Sequence, residues 1–462
     1  MTRWKPDIEA ADGRPLYQAL FDAIARDRAS GRLPAGSRLP PHRDLAADLG
    51  IGVGTVTKAY AEAERRGLIH ARVGAGSFVT GNDQGASPPP RAPGPIDLSR
   101  NLAPSGHAEP YLAAAMARLA AEDPAALTAY APVAGAAAVR AAAAAWSVRT
   151  GTMALDPERL IICNGAQQGL ALALAVTMKP GATLLCEAAT YAGTKQIATV
   201  AGYRLRGVAL DGEGVDPDAL DRAAAETGAA VVYLVPTLQN PTGRRMSAAR
   251  REAIAAVVRR RGLILIEDDV YALYGRDLPG VPALAELLPD RAFHIGGAAK
   301  SLAPGLRAGW LLPPEGGQWR EAVLRHVRAA YYAPAAIGHH IFRIWVEEGV
   351  ADRIAGAILN DAAGRLERAL AIVGDAAERP ASRHAMHLWL PMSAMEAERV
   401  SLRALRAGVE LTPPESTAVD PALLSGLRLC LDAVDAVEME GALRIVMAAL
   451  SADMEASERA IV

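Results

Sequence analysis

Lys300 sits in the run GGAAKSLAPGLRAGW, Gly296 to Trp310, with Arg307 shortly after it. A lysine amine relieved of its proton can form a Schiff base with a carbonyl, and an arginine fork can clamp a phosphate. The run NGAQQ, Asn164 to Gln168, follows a strand-like stretch and opens a helical one. Gly165, Ala166 and Gln167 would there present backbone N–H groups to an anion at a helix N-terminus. QNPTG (Gln239–Gly243) and EDDVY (Glu267–Tyr271) each follow another apolar run. They would place Asn240, Asp268 and Tyr271 near strand carboxyl ends, where open α/β sheets hold ligands. Each signal alone has a plainer reading. Gly165 could be only a turn, Tyr191 in EAATYAG a core residue and Lys300 a surface lysine. Asp268 could be a strand-end cap, and Arg428 in LRLC a salt-bridge partner. Occurring in order at strand ends, they are hard to explain otherwise.

The elements that must position these residues are legible as alternating patterns. Strand-like runs fall at Leu160–Cys163, Thr183–Glu187, Ala230–Val235, Leu263–Glu267 and Arg291–Ile295. Helical stretches lie between several of them. One runs to Arg261 with Ser247 as its N-cap and Gly262 as its stop, and Ala136–Ala145 is a strong helix former. This alternation predicts a mainly parallel sheet covered on both faces. Residues 13–81 read as a separate small unit, 82–95 as a Gly, Ser and Pro-rich linker, and 96–462 as the body.

Over roughly residues 96–440 the body resembles fold-type-I pyridoxal phosphate enzymes, with a smaller C-terminal subdomain. The resemblance implies pyridoxal 5'-phosphate as cofactor and Lys300, Asp268 and Tyr271 as the catalytic set. Lys300 would carry the Schiff base. Asp268 would pair with the pyridine nitrogen and keep the ring an electron sink. Asn240 and Tyr271 would share the phenolic oxygen, and Tyr191 would stack on the ring. Arg307 would hold the phosphate with the amides of Gly165, Ala166 and Gln167. Tyr130, in YAPVAG, would reach a phosphate across a dimer interface, and Arg428 would hold a substrate or effector carboxylate. Asp269 reads as structural. The family usually has a Ser or Thr just before the lysine. Here Ala298 and Ala299 stand there, and the phosphate cup is one or two hydroxyls poorer.

In the small unit, Leu16, Leu20 and Ile24 recur on one face of a first helix. Pro41 opens a second helix carrying Leu45 and Leu49, Gly50 and Gly52 turn the chain, and a third helix turns Val56 and Tyr60 inward and stops at Gly67. Leu68–Arg72 and Ser77–Thr80 read as two strands of a wing joined across Gly74 and Gly76. From Leu39 on, this segment resembles the GntR-type winged helix-turn-helix, whose second helix enters the major groove of double-stranded DNA. The residues expected at DNA are Arg43, Thr55, Thr57, Lys58, Arg72 and Gly74. Where the family usually has an arginine in the turn, this chain has Val53, which removes a bidentate base contact.

Together the two halves resemble the MocR/GabR subfamily of GntR transcription regulators. The resemblance implies a homodimer in which an amine or amino-acid effector forms an external aldimine and changes DNA binding. The alternatives are an active aminotransferase acting on an α-amino acid, and a repressor that has lost its cofactor. Bulk properties fit a regulator. The net charge is −2 overall, but residues 1–80 carry +3 and the remainder −5. Three scattered cysteines match neither zinc spacing nor a disulfide framework, so no metal is expected and a reducing cytoplasm is the default. No signal-peptide pattern or bilayer-length apolar run is present, and no membrane partner is expected.

Overall fold

Pro15 precedes helix α1 (Leu16–Ala29), whose Leu20 and Ile24 are fully buried. A computed structural model describes residues 4–8, 15–34, 36–66, 68–72, 76–79, 94–104, 106–122, 124–277 and 280–459. The chain divides into two units, Met1–Pro93 and Gly94–Val462. Leu16 was expected on the same face as Leu20. It opens the helix at the edge of the core and is 41% exposed. Pro41 precedes α2 (His42–Leu49), and Gly50 takes the left-handed conformation that ends it, at φ 65°. Helix α3 (Val53–Arg65) buries Val56, Ala59 and Tyr60 against Leu20, Ile24 and Leu45. The Tyr60 hydroxyl donates to the Pro40 carbonyl at 2.9 Å, which ties α3 to the start of α2. Strands β1 (Ile69–Arg72) and β2 (Gly76–Val79) pair antiparallel, Ile69 opposite Val79 and Arg72 opposite Gly76. The pairing thus takes in Gly76, and Leu68 precedes it. Gly67, Gly74, Thr80 and linker residues 82–93 lie outside the described residues.

In the second unit the described residues form a seven-stranded sheet. Its strands are β3 (Ile161–Asn164), β4 (Thr183–Glu187), β5 (Arg204–Val208), β6 (Val231–Leu234), β7 (Ile264–Asp268), β8 (Ala292–Gly297) and β9 (Ala308–Leu312). The order across the sheet is β3-β9-β8-β7-β6-β4-β5. Neighbours are parallel except the two pairs made by β9. The interior strands are near-continuous apolar runs because helices cover both faces. Helices α4 (Ala137–Arg149), α5 (Ala166–Thr177), α6 (Ala192–Ala201) and α7 (Ala248–Arg261) follow the alternation. Helix α7 has the expected ends: the Ser247 hydroxyl accepts from the Arg250 amide at 3.2 Å, and Gly262 is left-handed at φ 66°. Beyond α8 (Val350–Val373), β10 (His387–Pro391) pairs antiparallel with β11 (Gly426–Cys430), Trp389 opposite Arg428. Helices α9 (Ala394–Arg406) and α10 (Ala436–Arg459) complete this smaller subdomain. Among the described residues no helix is long and apolar enough to cross a membrane, and no His, Cys, Asp and Glu group could hold a metal ion.

Candidate functional site

Parallel strands place all their carboxyl ends on one edge of a sheet, and most of the cofactor residues singled out in the sequence, though not Tyr130 or Arg428, lie at that edge. A cavity of about 190 Å³ opens there. Ala166, Gln167, Tyr191, Asn240, Asp268, Tyr271, Lys300 and Arg307 all line it.

Asp268, the last residue of β7, is nearly buried. One of its oxygens accepts from the Tyr233 hydroxyl at 2.8 Å and the other from the Val270 amide at 3.3 Å. Burial pushes its carboxyl up to about 6, with the Tyr233 bond working against that rise. Lys300 follows β8. Its backbone carbonyl accepts from the Tyr274 hydroxyl at 2.7 Å, and its amine donates to the Asn101 carbonyl. The side chain is partly open to the cavity, yet burial of the amine brings it down to about 8.

Tyr271 has its phenol deep in the site. Its oxygen accepts from Asn240 Nδ2 at 3.1 Å and from Asn101 Nδ2 at 3.1 Å. The Asn240 amide cannot be reversed, because Arg428 Nη1 donates to its Oδ1 at 2.6 Å. His387 is held neutral, its pKa lowered to about 3 by burial and by Arg428. Its Nε2 meets the Gln239 carbonyl at 3.2 Å, and a carbonyl only accepts, so Nε2 carries the proton. Nδ1 is then the acceptor for Asn101 Nδ2 at 3.2 Å. Both amide hydrogens of Asn101 are spent on Tyr271 and His387. With two donors already at the phenol oxygen, the Tyr271 proton can be offered to an acceptor in the cavity.

At the other end, Gly165 joins β3 to α5 with φ 85°. A Cβ there would lie 2.5 Å from Arg307 Nη2, so glycine is what lets the guanidinium approach, and Arg307 donates to the Asn164 carbonyl at 3.0 Å. The first amides of α5 have no partner within the helix. Of the two alanines before Lys300, Ala299 lines the cavity while Ala298 is fully buried, so the missing hydroxyl concerns position 299. Gln167 Oε1, Asn101 Oδ1 and Arg428 Nε are buried polar atoms without partners. The donor set fits a phosphorylated ring aldehyde: an arginine and helix amides for a phosphate, a carboxylate for a ring nitrogen, a phenol for a ring oxygen, and an amine for the carbonyl.

Arg428 is nearly buried on β11. Besides Asn240 it donates to the Ser99 carbonyl at 2.8 Å and Thr412 Oγ1 at 2.9 Å. Tyr130 stands apart. It is 81% exposed and its ring packs on Tyr332 with centroids 4.6 Å apart. Asp269 points away from the cavity, accepting from Thr237 Oγ1 at 2.5 Å and lying 3.4 Å from His294 Nε2.

On α3, Val53, Gly54, Thr57 and Lys58 face solvent, while Thr55 is half-buried at the flank of that face. Thr57 Oγ1 donates to the Val53 carbonyl at 3.0 Å and is 3.1 Å from His42 Nδ1, which links the two helices of the motif. Arg43 is exposed near the start of α2. The Arg72 backbone lies in β1, while its side chain and Gly74 are outside the described residues.

Asn101, Tyr233 and His387 are site residues that the sequence did not disclose. None stands in a recognisable motif, and each acts through a partner distant in the chain.

Residues 93–454 match the aminotransferase class I and II family, and residues 16–79 match the bacterial regulatory proteins of the gntR family. The chain is 31% identical over 323 residues to YdeF of Bacillus subtilis, named an uncharacterized HTH-type transcriptional regulator, covering 69% of each chain. It is 27% identical over 353 residues to PdxR of Corynebacterium glutamicum, named an HTH-type pyridoxine biosynthesis transcriptional regulator. That match covers 70% of this chain and 74% of the relative. Among solved structures, LysN, an α-aminoadipate aminotransferase of Thermus thermophilus, superposes with a TM-score of 0.70 at 24% identity. The match covers 78% of this chain and 92% of LysN.

Proposed function

This chain belongs to the aminotransferase class I and II family and carries a gntR-family segment ahead of that domain, and we propose that it is a pyridoxal-phosphate-binding transcription regulator that senses an amine or amino acid. The observation that carries the reading is the convergence of Lys300, Asp268, Asn240, Tyr271 and Arg307 on one cavity, in a chain that also presents an exposed recognition helix.

Pyridoxal phosphate bound in that cavity would supply an electrophilic carbon for amines and a ring that accepts electrons. Lys300 is prepared for such a carbon: with its amine at about 8, roughly one in ten is unprotonated at pH 7. Asp268 is ionised above about pH 6 and supplies the negative charge a protonated ring nitrogen needs. Tyr271 offers its proton to the ring oxygen, held in place by Asn240 and Asn101. Arg307, the Gly165 turn and the amides of Ala166 and Gln167 hold the phosphate. Tyr191 covers the ring. Arg428 has a buried Nε without a partner and takes the effector carboxylate. A homodimer belongs to the same reading: Tyr130, exposed in its own subunit, reaches the partner's phosphate. Action on double-stranded DNA sets the protein in the cytoplasm, a reducing compartment that suits its three buried free cysteines.

The test is protection of DNA upstream of the protein's own gene, with and without pyridoxal phosphate and a panel of amino acids, beside the visible absorbance of the bound cofactor. Cofactor binding with effector-dependent protection is expected. No protection at low salt under any condition overturns the regulator reading. The equipped lysine also favours a second reading, an active aminotransferase, which predicts steady turnover of an α-amino acid without any effect on DNA.

A further inference from the structure

A second cavity, of about 360 Å³, lies behind the segment that carries Asp268 and Tyr271. It is lined by Thr152, Thr237, Arg245, Arg251, Asp269 and Arg276 among others. None of these contributes to the cofactor cavity. Arg251 is 3% exposed. Its Nη1 faces Glu267 at 3.4 Å and the Pro282 carbonyl at 3.1 Å, and its Nη2 donates to Thr237 Oγ1 at 3.2 Å. Its Nε is buried without a partner. Arg245 stands close enough to feel it: burial lowers the Arg245 pKa, and the charge of Arg251 lowers it further. Arg276 is exposed, and no hydrogen bond or ion pair of its side chain occurs among the described residues.

Asp269 is the one carboxylate among the residues lining the cavity, and Asp277 also acts on Arg245 from nearby. Burial opposes ionisation of Asp269, but His294, Thr237 and Arg251 outweigh it and hold the group below its usual range. That negative charge is therefore shared with His294. Glu267 is pushed up by burial, which weakens it as a counter-charge. Four arginines, Arg149, Arg245, Arg251 and Arg276, and two threonines, Thr152 and Thr237, thus line a space several waters wide. A buried donor left without an acceptor is costly, and like charges side by side repel. A multivalent oxyanion relieves both at once, because several arginine forks can share its oxygens.

We infer that this cavity is an oxyanion site that takes a phosphate group, either free or as a small monoester. The site stands independently of the cofactor reading. The experiment is calorimetric titration of the full chain with inorganic phosphate and, separately, with glycerol phosphate, in chloride buffer. Arg307→Ala is titrated in parallel, because the cup at Gly165 could also hold phosphate. Expected is saturable binding that survives Arg307→Ala and weakens about tenfold or more in the double variant Arg245→Gln, Arg276→Gln. Tighter binding of one titrant identifies free phosphate or the ester as the occupant. Thermal melting of the double variant, which leaves the buried Arg251–Glu267 pair intact, checks that the fold is kept. Absence of saturation up to roughly 20 mM, equal affinity in the double variant, or loss of all binding in Arg307→Ala overturns the assignment.

Discussion

Glu267, Asp268 and Asp269 are consecutive carboxylates held in three different environments. Glu267 accepts from the Leu284 and Ala285 amides at 3.0 and 2.9 Å and faces Arg251, so it anchors a loop. Asp268 faces the cavity, and Asp269 turns back to Thr237 and His294. Asp268→Asn is therefore expected to weaken pyridoxal phosphate binding or shift its spectrum. Asp269→Asn breaks a buried network and should instead cost about 1–3 kcal/mol of stability, read as a lower melting temperature. Equal spectral effects in the two variants would mean the wrong carboxylate has been assigned to the ring. Lys300 gives a pH prediction. A lysine reacts as the free amine, and its pKa of about 8 lies well below an ordinary lysine's. The cofactor-free protein should form its borohydride-reducible adduct about five times faster at pH 8 than at pH 7, then level off. Below about pH 6 the reaction should also suffer from protonation of Asp268. Lys300→Ala should form no reducible adduct at all. A rate still climbing steeply between pH 9 and 10 would show that the amine is not depressed.

Elements set these groups where chemistry can use them. The β3–α5 junction is the clearest case, because Gly165 both adopts a positive φ and makes room for Arg307. Gly165→Ala adds a strained backbone and a Cβ on the guanidinium. Titration should show pyridoxal phosphate affinity reduced about tenfold or more. Unchanged affinity would remove Arg307 from the phosphate. In the first unit, the exposed face of α3 carries Thr57 and Lys58, with Arg43 exposed on α2. Arg43→Ala and Lys58→Ala are each expected to weaken DNA binding and, if the group contacts phosphate, to reduce the salt slope by about one. Thr55 lies at the flank of that face, so a change at Thr57 should disturb sequence preference more than one at Thr55. Gel-shift titrations across salt and across operator variants measure both.

At the scale of the whole molecule, the proposed function needs an effector bound in the second unit to alter DNA binding by the first. Arg428 is the residue to probe, because it belongs to the second unit alone and already bonds Asn240, Ser99 and Thr412. An arriving carboxylate must share or replace those acceptors, which changes contacts between β11 and the rest of the site. Arg428→Ala is expected to leave DNA binding without effector unchanged and to abolish the effector response. Coupling of this kind typically amounts to about 5- to 150-fold in affinity, well within reach of a titration of operator DNA with an effector panel. An equal response in wild type and variant would place the carboxylate elsewhere.

Much of this protein is written in residues that are neighbours in the chain. Ser247 and Gly262 bound α7, Pro41 and Gly50 bound α2, and apolar runs mark the strands, because capping, turn conformation and periodicity are local properties. The motifs at strand ends were legible for the same reason, since a parallel sheet brings its carboxyl ends together whatever its detailed packing. Tertiary structure decided the rest. Asn101 meets Tyr271 and His387 across 170 and 286 residues, and Tyr233 meets Asp268 across 35. It also decided that Ala299 and not Ala298 faces the cavity, that Tyr130 stands apart from it, and that Arg245, Arg251 and Arg276 gather around a second one. Such contacts depend on which strands lie side by side and which way their side chains point, and hydrophobic pattern alone leaves both open.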